Sequence, residues 1–206
     1  LSARAGVLLA LLAITPGAGA QGAPPPVILR AARLIDGTGA AALAPGMLRI
    51  EGERITAVGR ALDVPPGATV IDLGDATLLP GLIDLHTHIA DVGQSADIAE
   101  PIDKGPAETA FVGAKNARDT LMAGFTSARD VGTFRVFGDV KLRDAINAGL
   151  IPGPRMAVAG TYLTIPGGGG EINGLPEGKV PPEMRFGVVR GPNETAAKAA
   201  ALFAGG

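Results

Sequence analysis

The hydrophobic and polar positions of this chain change rhythm twice. After a lone charge at Arg4, residues 5–14 form an uninterrupted apolar run. From residue 27 to about 79 the apolar runs are short and separated by turn residues. Val27-Ile28-Leu29, Arg33-Leu34-Ile35, Met47-Leu48-Arg49-Ile50, Arg54 to Gly59 and Val70-Ile71-Asp72-Leu73 each predict a strand. Asp36-Gly37-Thr38-Gly39 reads as a turn, and Glu51-Gly52-Glu53 as the glycine-bearing loop of a hairpin. No helical period crosses these residues, so they predict a small all-β module. Beyond Pro80-Gly81 the texture alternates. Residues 82–88, 125–131 and 155–159 predict strands, while 107–123, 136–148 and 193–203 carry a helical period. Gly149 is placed to stop the second helix and Asn193 to cap the third. A long loop, 161–191, holds four consecutive glycines.

Strands alternating with helices predict a parallel β/α architecture. Each β/α unit takes roughly 30 residues and a closed eight-unit barrel roughly 250. Only three units follow Pro80. They form either a small open α/β layer or the front of a longer barrel; the chain ending within a helical pattern favours the second. The resulting division is 1–20, 21–26 (a Pro-rich spacer), 27–79 (the β module) and 80–206 (the first three β/α units).

Composition narrows the function. With 18 Lys+Arg against 20 Asp+Glu, the net charge of −2 leaves no basic stripe for nucleic acid. A hydrophobic content of 47% supports a packed core. No cysteine is present, which excludes disulfides, thiolate metal sites and a cysteine nucleophile. Any metal would be held by histidines and carboxylates. The apolar run at 5–14 is too short for a bilayer, which needs about 20 residues. A charge, a short apolar core and Ala18-Gly19-Ala20 read instead as a signal peptide. The expectation is an exported protein, periplasmic or secreted, starting near Gln21, with no other membrane attachment.

The chain has two histidines, His86 and His88, at the end of a predicted strand. Two residues placed at random would have this spacing only about 1% of the time, and strand positions i and i+2 share a face. Both imidazoles are therefore expected to point into one cavity at the end of a buried strand. Such a pair suits zinc or a similar divalent ion. Asp84, on the same face, is a candidate to orient one of them. An arbitrary H-x-H is more often a pair of hydrogen-bonded structural histidines; the strand-end context favours the metal reading, because β/α barrels place active sites there. Other signals weigh less. Gly37-Thr38-Gly39 lacks the β/α/β unit of a dinucleotide site, and Glu171 after Gly167–Gly170 replaces the Lys-Ser/Thr of a phosphate loop. A mobile loop over an active-site mouth fits that glycine run better. Arg129 and Asp130 read as an ion pair bracing a strand end, with substrate contact second. Asn193-Glu194-Thr195 matches a glycosylation acceptor.

Leu78-Leu79-Pro80-Gly81-Leu82-Ile83-Asp84-Leu85-His86-Thr87-His88 resembles the first barrel strand of the amidohydrolase superfamily. The Arg33-Leu34-Ile35-Asp36-Gly37-Thr38-Gly39 and Gly52 to Gly59 segments resemble the β-sandwich that precedes that barrel. Gly124-Phe125-Thr126-Ser127-Ala128-Arg129-Asp130-Val131-Gly132 resembles the second strand, and Ile151-Pro152-Gly153-Pro154-Arg155-Met156 with the glycine loop the third. The likeness is to imidazolonepropionase-like and Xaa-Pro dipeptidase-like members, over about residues 27–200. It implies the N-terminal part of a (β/α)8 barrel preceded by a small β-sandwich. The implied activity is metal-dependent hydrolysis of C–N bonds in a small molecule or short peptide, with one or two ions, zinc foremost. His86 and His88 would hold the first metal. The bridging carboxylated Lys, two later His and a water-activating Asp of such enzymes have no counterparts here. Gly169 also stands where near relatives often have His. The 206 residues alone are therefore expected to be inactive or nearly so. A non-catalytic exported binding protein derived from a truncated relative is the rival reading, and deamination or cyclic-amide opening is the rival chemistry.

Overall fold

Alternating apolar positions become paired strands in the first of two compact units, which divide at Pro80/Gly81. The structure is a computed structural model that describes residues 24–91 and 97–206. The expected signal segment, 1–20, and Gln21 lie outside the described residues. In the first unit β1 (Val27–Ala31), β3 (Gly46–Glu51), β4 (Arg54–Gly59) and β5 (Thr69–Asp72) form one sheet in the order β4-β3-β1-β5. β3 runs antiparallel to both β1 and β4, whereas β1 and β5 are parallel. β2 (Arg33–Leu34) and β6 (Thr77–Leu78) make a separate parallel pair. Ile28, Ala31, Leu34 and Met47 are buried. Gly46 lets the elements approach, since a Cβ there would overlap the Leu34 side chain.

In the second unit, β7 (Leu82–Thr87), β8 (Phe125–Asp130) and β9 (Arg155–Ala157) form a three-stranded sheet in that order, all parallel. The connections carry α1 (Glu100–Asp103), α2 (Pro106–Met122) and α3 (Gly138–Asn147), and α4 (Pro192–Gly205) ends the described chain. The core gathers Ile89, Ala90, Ala117, Ala128, Leu142 and Met156, with Ile146, Ile151 and Val158 against it. None of the helices among the described residues is long and apolar enough to cross a membrane.

Several local expectations change. β7 is not a buried strand: Leu82, Ile83 and Leu85 are 48%, 64% and 63% exposed. Among the described residues it lies at the edge of the sheet, with a neighbouring strand on one side. α3 starts at Gly138 rather than 136, because Phe137 takes a left-handed conformation (φ 62°) that a helix cannot include. Gly149, at φ 70°, ends the same helix as anticipated. Asn193 is not a cap but lies inside α4. Gly191 occupies the cap and Pro192 the first helical position, where a missing N–H costs nothing. Glu194 reaches back to accept the Arg190 N–H at 2.7 Å. The loop expected as a mobile cover has its own small core of Ile172, Val180 and Met184, packed with Ile102, Phe134 and Leu175.

Candidate functional site

The end of β7 brings the two histidines together. Their ring centroids lie 5.5 Å apart with planes at 80°. Two imidazoles on one tetrahedral zinc ion, with N–Zn bonds of about 2 Å, bring their centroids to about 5 Å. The pair therefore fits two ligands of one ion. No group of three or more His, Cys, Asp or Glu that could hold a metal occurs among the described residues. His86 is exposed and His88 half-buried. They lie together at the strand end. A cavity of about 660 Å³ in this unit is lined by other residues, including Phe111, Leu142 and Leu150.

His88 is held by a polar network. Its Nδ1 lies 2.9 Å from the Gly132 carbonyl, which can only accept, so Nδ1 carries the proton. The same N–H faces the Tyr162 hydroxyl oxygen at 2.9 Å. Tyr162 in turn donates to Asp91 Oδ2 at 3.0 Å. In the neutral imidazole the lone pair then lies on Nε2. Asp91 is 4% exposed and also accepts from the Thr133 hydroxyl at 2.8 Å and the Phe134 N–H at 3.2 Å. Burial pushes its carboxyl up, while the bonds from Thr133, Tyr162 and Phe134 pull it back down. Burial, with the charge of Asp91 beside it, raises the Tyr162 phenol, which keeps its proton.

Behind this network a second carboxylate fixes the backbone. Asp130, at the end of β8 and 1% exposed, accepts from Ile89 N–H at 2.6 Å, Ala90 N–H at 3.3 Å and Gly132 N–H at 3.4 Å. It thereby ties the residues just after His88 to the end of the neighbouring strand. Burial pushes its carboxyl up to about 6, against the N–H of Ala90, with the nearby charge of Asp139 adding to the rise. Asp139, fully buried at the start of α3, accepts from Val140, Ala159 and Gly160 N–H at 2.8, 3.0 and 2.8 Å.

Two sequence expectations are corrected here. Asp84 does not orient an imidazole; its Oδ1 accepts the backbone N–H of His86 at 3.0 Å. Asp130 does not pair with Arg129, because alternate strand positions point to opposite faces and Arg129 is exposed. Tyr162, Asp91 and Thr133 were not foreseen. Tyr162 is the one tyrosine of the chain, set in a glycine-rich loop; an isolated aromatic among glycines was the available signal.

A crystal structure of a Xaa-Pro dipeptidase with bound methionine in the active site superposes with a TM-score of 0.75 at 32% identity, over 88% of this chain and 45% of that one. Ochratoxinase of Aspergillus niger is 31% identical over 157 residues, 74% of this chain and 32% of that protein. Dihydroorotase of Mycobacterium leprae is 47% identical over 64 residues, 31% of this chain and 14% of that protein. The chain spans less than half the length of each of these relatives. The model of the Amidohydrolase family matches residues 77–202, which include both histidines and the whole Asp91–Tyr162 network, and the chain belongs to that family.

Proposed function

We propose that this chain is the metal-holding N-terminal portion of a metal-dependent hydrolase of C–N bonds, acting on a small amide or short peptide. The observation that carries the reading is the His86–His88 pair, spaced for one ion, with the His88 proton confined to Nδ1. Relatives whose names denote a dipeptidase, a dihydroorotase and an ochratoxinase support the bond class.

In this reading His86 and His88 would hold a divalent ion, zinc foremost, with His88 offering its Nε2. What such an ion supplies is Lewis acidity towards a carbonyl oxygen and towards water. The chain's own residues orient and hold: Gly132 and Tyr162 fix the His88 ring, and Asp130 fixes the backbone behind it. Two imidazoles fall short of the three protein ligands usual in a catalytic zinc site, so the 206 residues by themselves do not turn over substrate. Export is supported by the order of residues 1–20 in the sequence.

Zinc titration of the chain, followed by histidine NMR or by competition with a chromophoric chelator, tests the metal reading. The expected result is one bound ion in the wild type and none with His86→Ala or His88→Ala. Unchanged binding in either variant overturns it.

A further inference from the structure

We propose that Tyr162 is a positioning residue that couples the buried Asp91 carboxylate to the His88 imidazole and sets the rotation of that ring, and that the neighbouring glycines exist to seat it. The proposal rests on His88 holding the metal.

The first support is the direction of the hydrogen bonds. The Tyr162 hydroxyl has one proton, and Asp91 Oδ2 at 3.0 Å is a pure acceptor, so the proton goes there. Its oxygen is then free to accept from His88 Nδ1–H at 2.9 Å. The imidazole N–H is shared between this oxygen and the Gly132 carbonyl. Two acceptors on different elements define a plane, whereas one would leave the ring free to swing about a single bond. The far end of the relay is also fixed, because Asp91 is held by Thr133, which is fully buried, and by the Phe134 backbone.

The second support is the fit of the aromatic ring. A Cβ on Gly132 would come within 2.5 Å of the Tyr162 ring, and one on Gly170 within 2.5 Å of the Tyr162 Cβ. A Cβ on Gly187 would overlap the Tyr162 carbonyl. Gly132 also adopts φ 141°, which side chains rarely take. Phe134 closes the slot edge-on, with centroids 5.1 Å apart. Two glycines from two segments thus converge on the Tyr162 side chain, and a third lies against its backbone carbonyl. The last glycine of the run at 167–170 has a structural task that needs neither phosphate nor substrate.

Partners of this kind orient a ligating imidazole and raise its basicity, and their loss typically lowers metal affinity about 10- to 100-fold. Here Gly132 remains as an acceptor in a Tyr162→Phe variant, so the expected loss lies near the lower end, about tenfold. Phenylalanine fills the same slot, which keeps the variant folded.

The test is zinc titration of the wild-type chain, Tyr162→Phe and His88→Ala, read by chelator competition and by the 15N–1H spectrum of the histidine rings. The expected result is a roughly tenfold weaker site in Tyr162→Phe, a shifted His88 Nδ1–H signal before zinc is added, and an unchanged melting temperature to within a few degrees. Asp91→Asn combined with Tyr162→Phe should bind no more weakly than Tyr162→Phe alone, since one relay cannot be broken twice. If His88→Ala abolishes binding while Tyr162→Phe stays within twofold of wild type with its Nδ1–H signal unmoved, the positioning role is overturned and the metal reading stands. If His88→Ala leaves binding intact, both fall.

Discussion

In the first unit Arg33 pairs with Asp75 at 2.9 Å and Arg49 with Glu51 at 3.0 Å, with side chains partly or largely in water. In the second, Asp91, Asp130 and Asp139 are at most 4% exposed, and each accepts two or more bonds from other segments. The residue types are alike but the settings are opposite. A surface ion pair exchanges water for a partner at little net gain. An enclosed carboxylate that satisfies several backbone N–H groups cannot be replaced by water, so its removal leaves all of them unmet. The β module is held by its apolar strands with polar groups as trim, whereas the β/α unit is held by acids at the end of its sheet where the histidines lie.

The largest break in that contrast should come from Asp139→Ala, which strips the acceptor from three backbone N–H groups. At about 1–3 kcal/mol for each unmet group, the loss should be on the order of 3 kcal/mol or more, measured by urea denaturation with far-UV circular dichroism. Asp139→Asn, which keeps one oxygen, should lose less.

A middle-sized effect follows from Asp130. Its carboxyl titrates in the folded chain at about 6, above the ordinary 3.8. Between those values the folded state binds a proton that the unfolded state has released, which favours folding. The stability from this group is therefore fully present below about pH 4 and is lost as the pH rises through about 6. The carboxyl of Asp91, also pushed up, contributes with the same sign. Melting temperatures measured across this range should fall with rising pH more steeply in the wild type than in Asp130→Asn.

The smallest effect should come from the first unit. Arg33→Ala should change stability by less than about 1 kcal/mol, and added salt should shrink the difference further. A loss as large as that of Asp139→Ala would erase the contrast between the units.

The sequence made the elements legible where one physical rule decided them. Apolar alternation located β1, β3, β4 and β5, and helical spacing located α2. Strand periodicity brought His86 and His88 together. What stayed hidden depended on contacts between distant positions. β6 has two residues, too few for a pattern, and exists because β2 lies beside it. Asp130 beside Arg129 looked like half of an ion pair; two of its three partners are 40 and 41 positions away. Tyr162 and Asp91 lie 71 positions apart and carry no motif. Buried polar networks are specified by the tertiary fold, so a linear reading finds the histidine pair and misses what holds it.

The edge position of β7 has a consequence for the order in which the chain folds. Among the described residues its partner strand begins at Phe125, with two helices between, so no local hairpin covers it as it is made. Until α2 and β8 arrive, a ribbon carrying Leu82, Ile83 and Leu85 must wait with both edges open. Among the described residues its other edge has no strand beside it. Such a ribbon is a template for any other extended chain nearby. The histidine-bearing strand is thus open to mispairing while the chain is being made, a kinetic hazard that no equilibrium measurement on the folded protein would register.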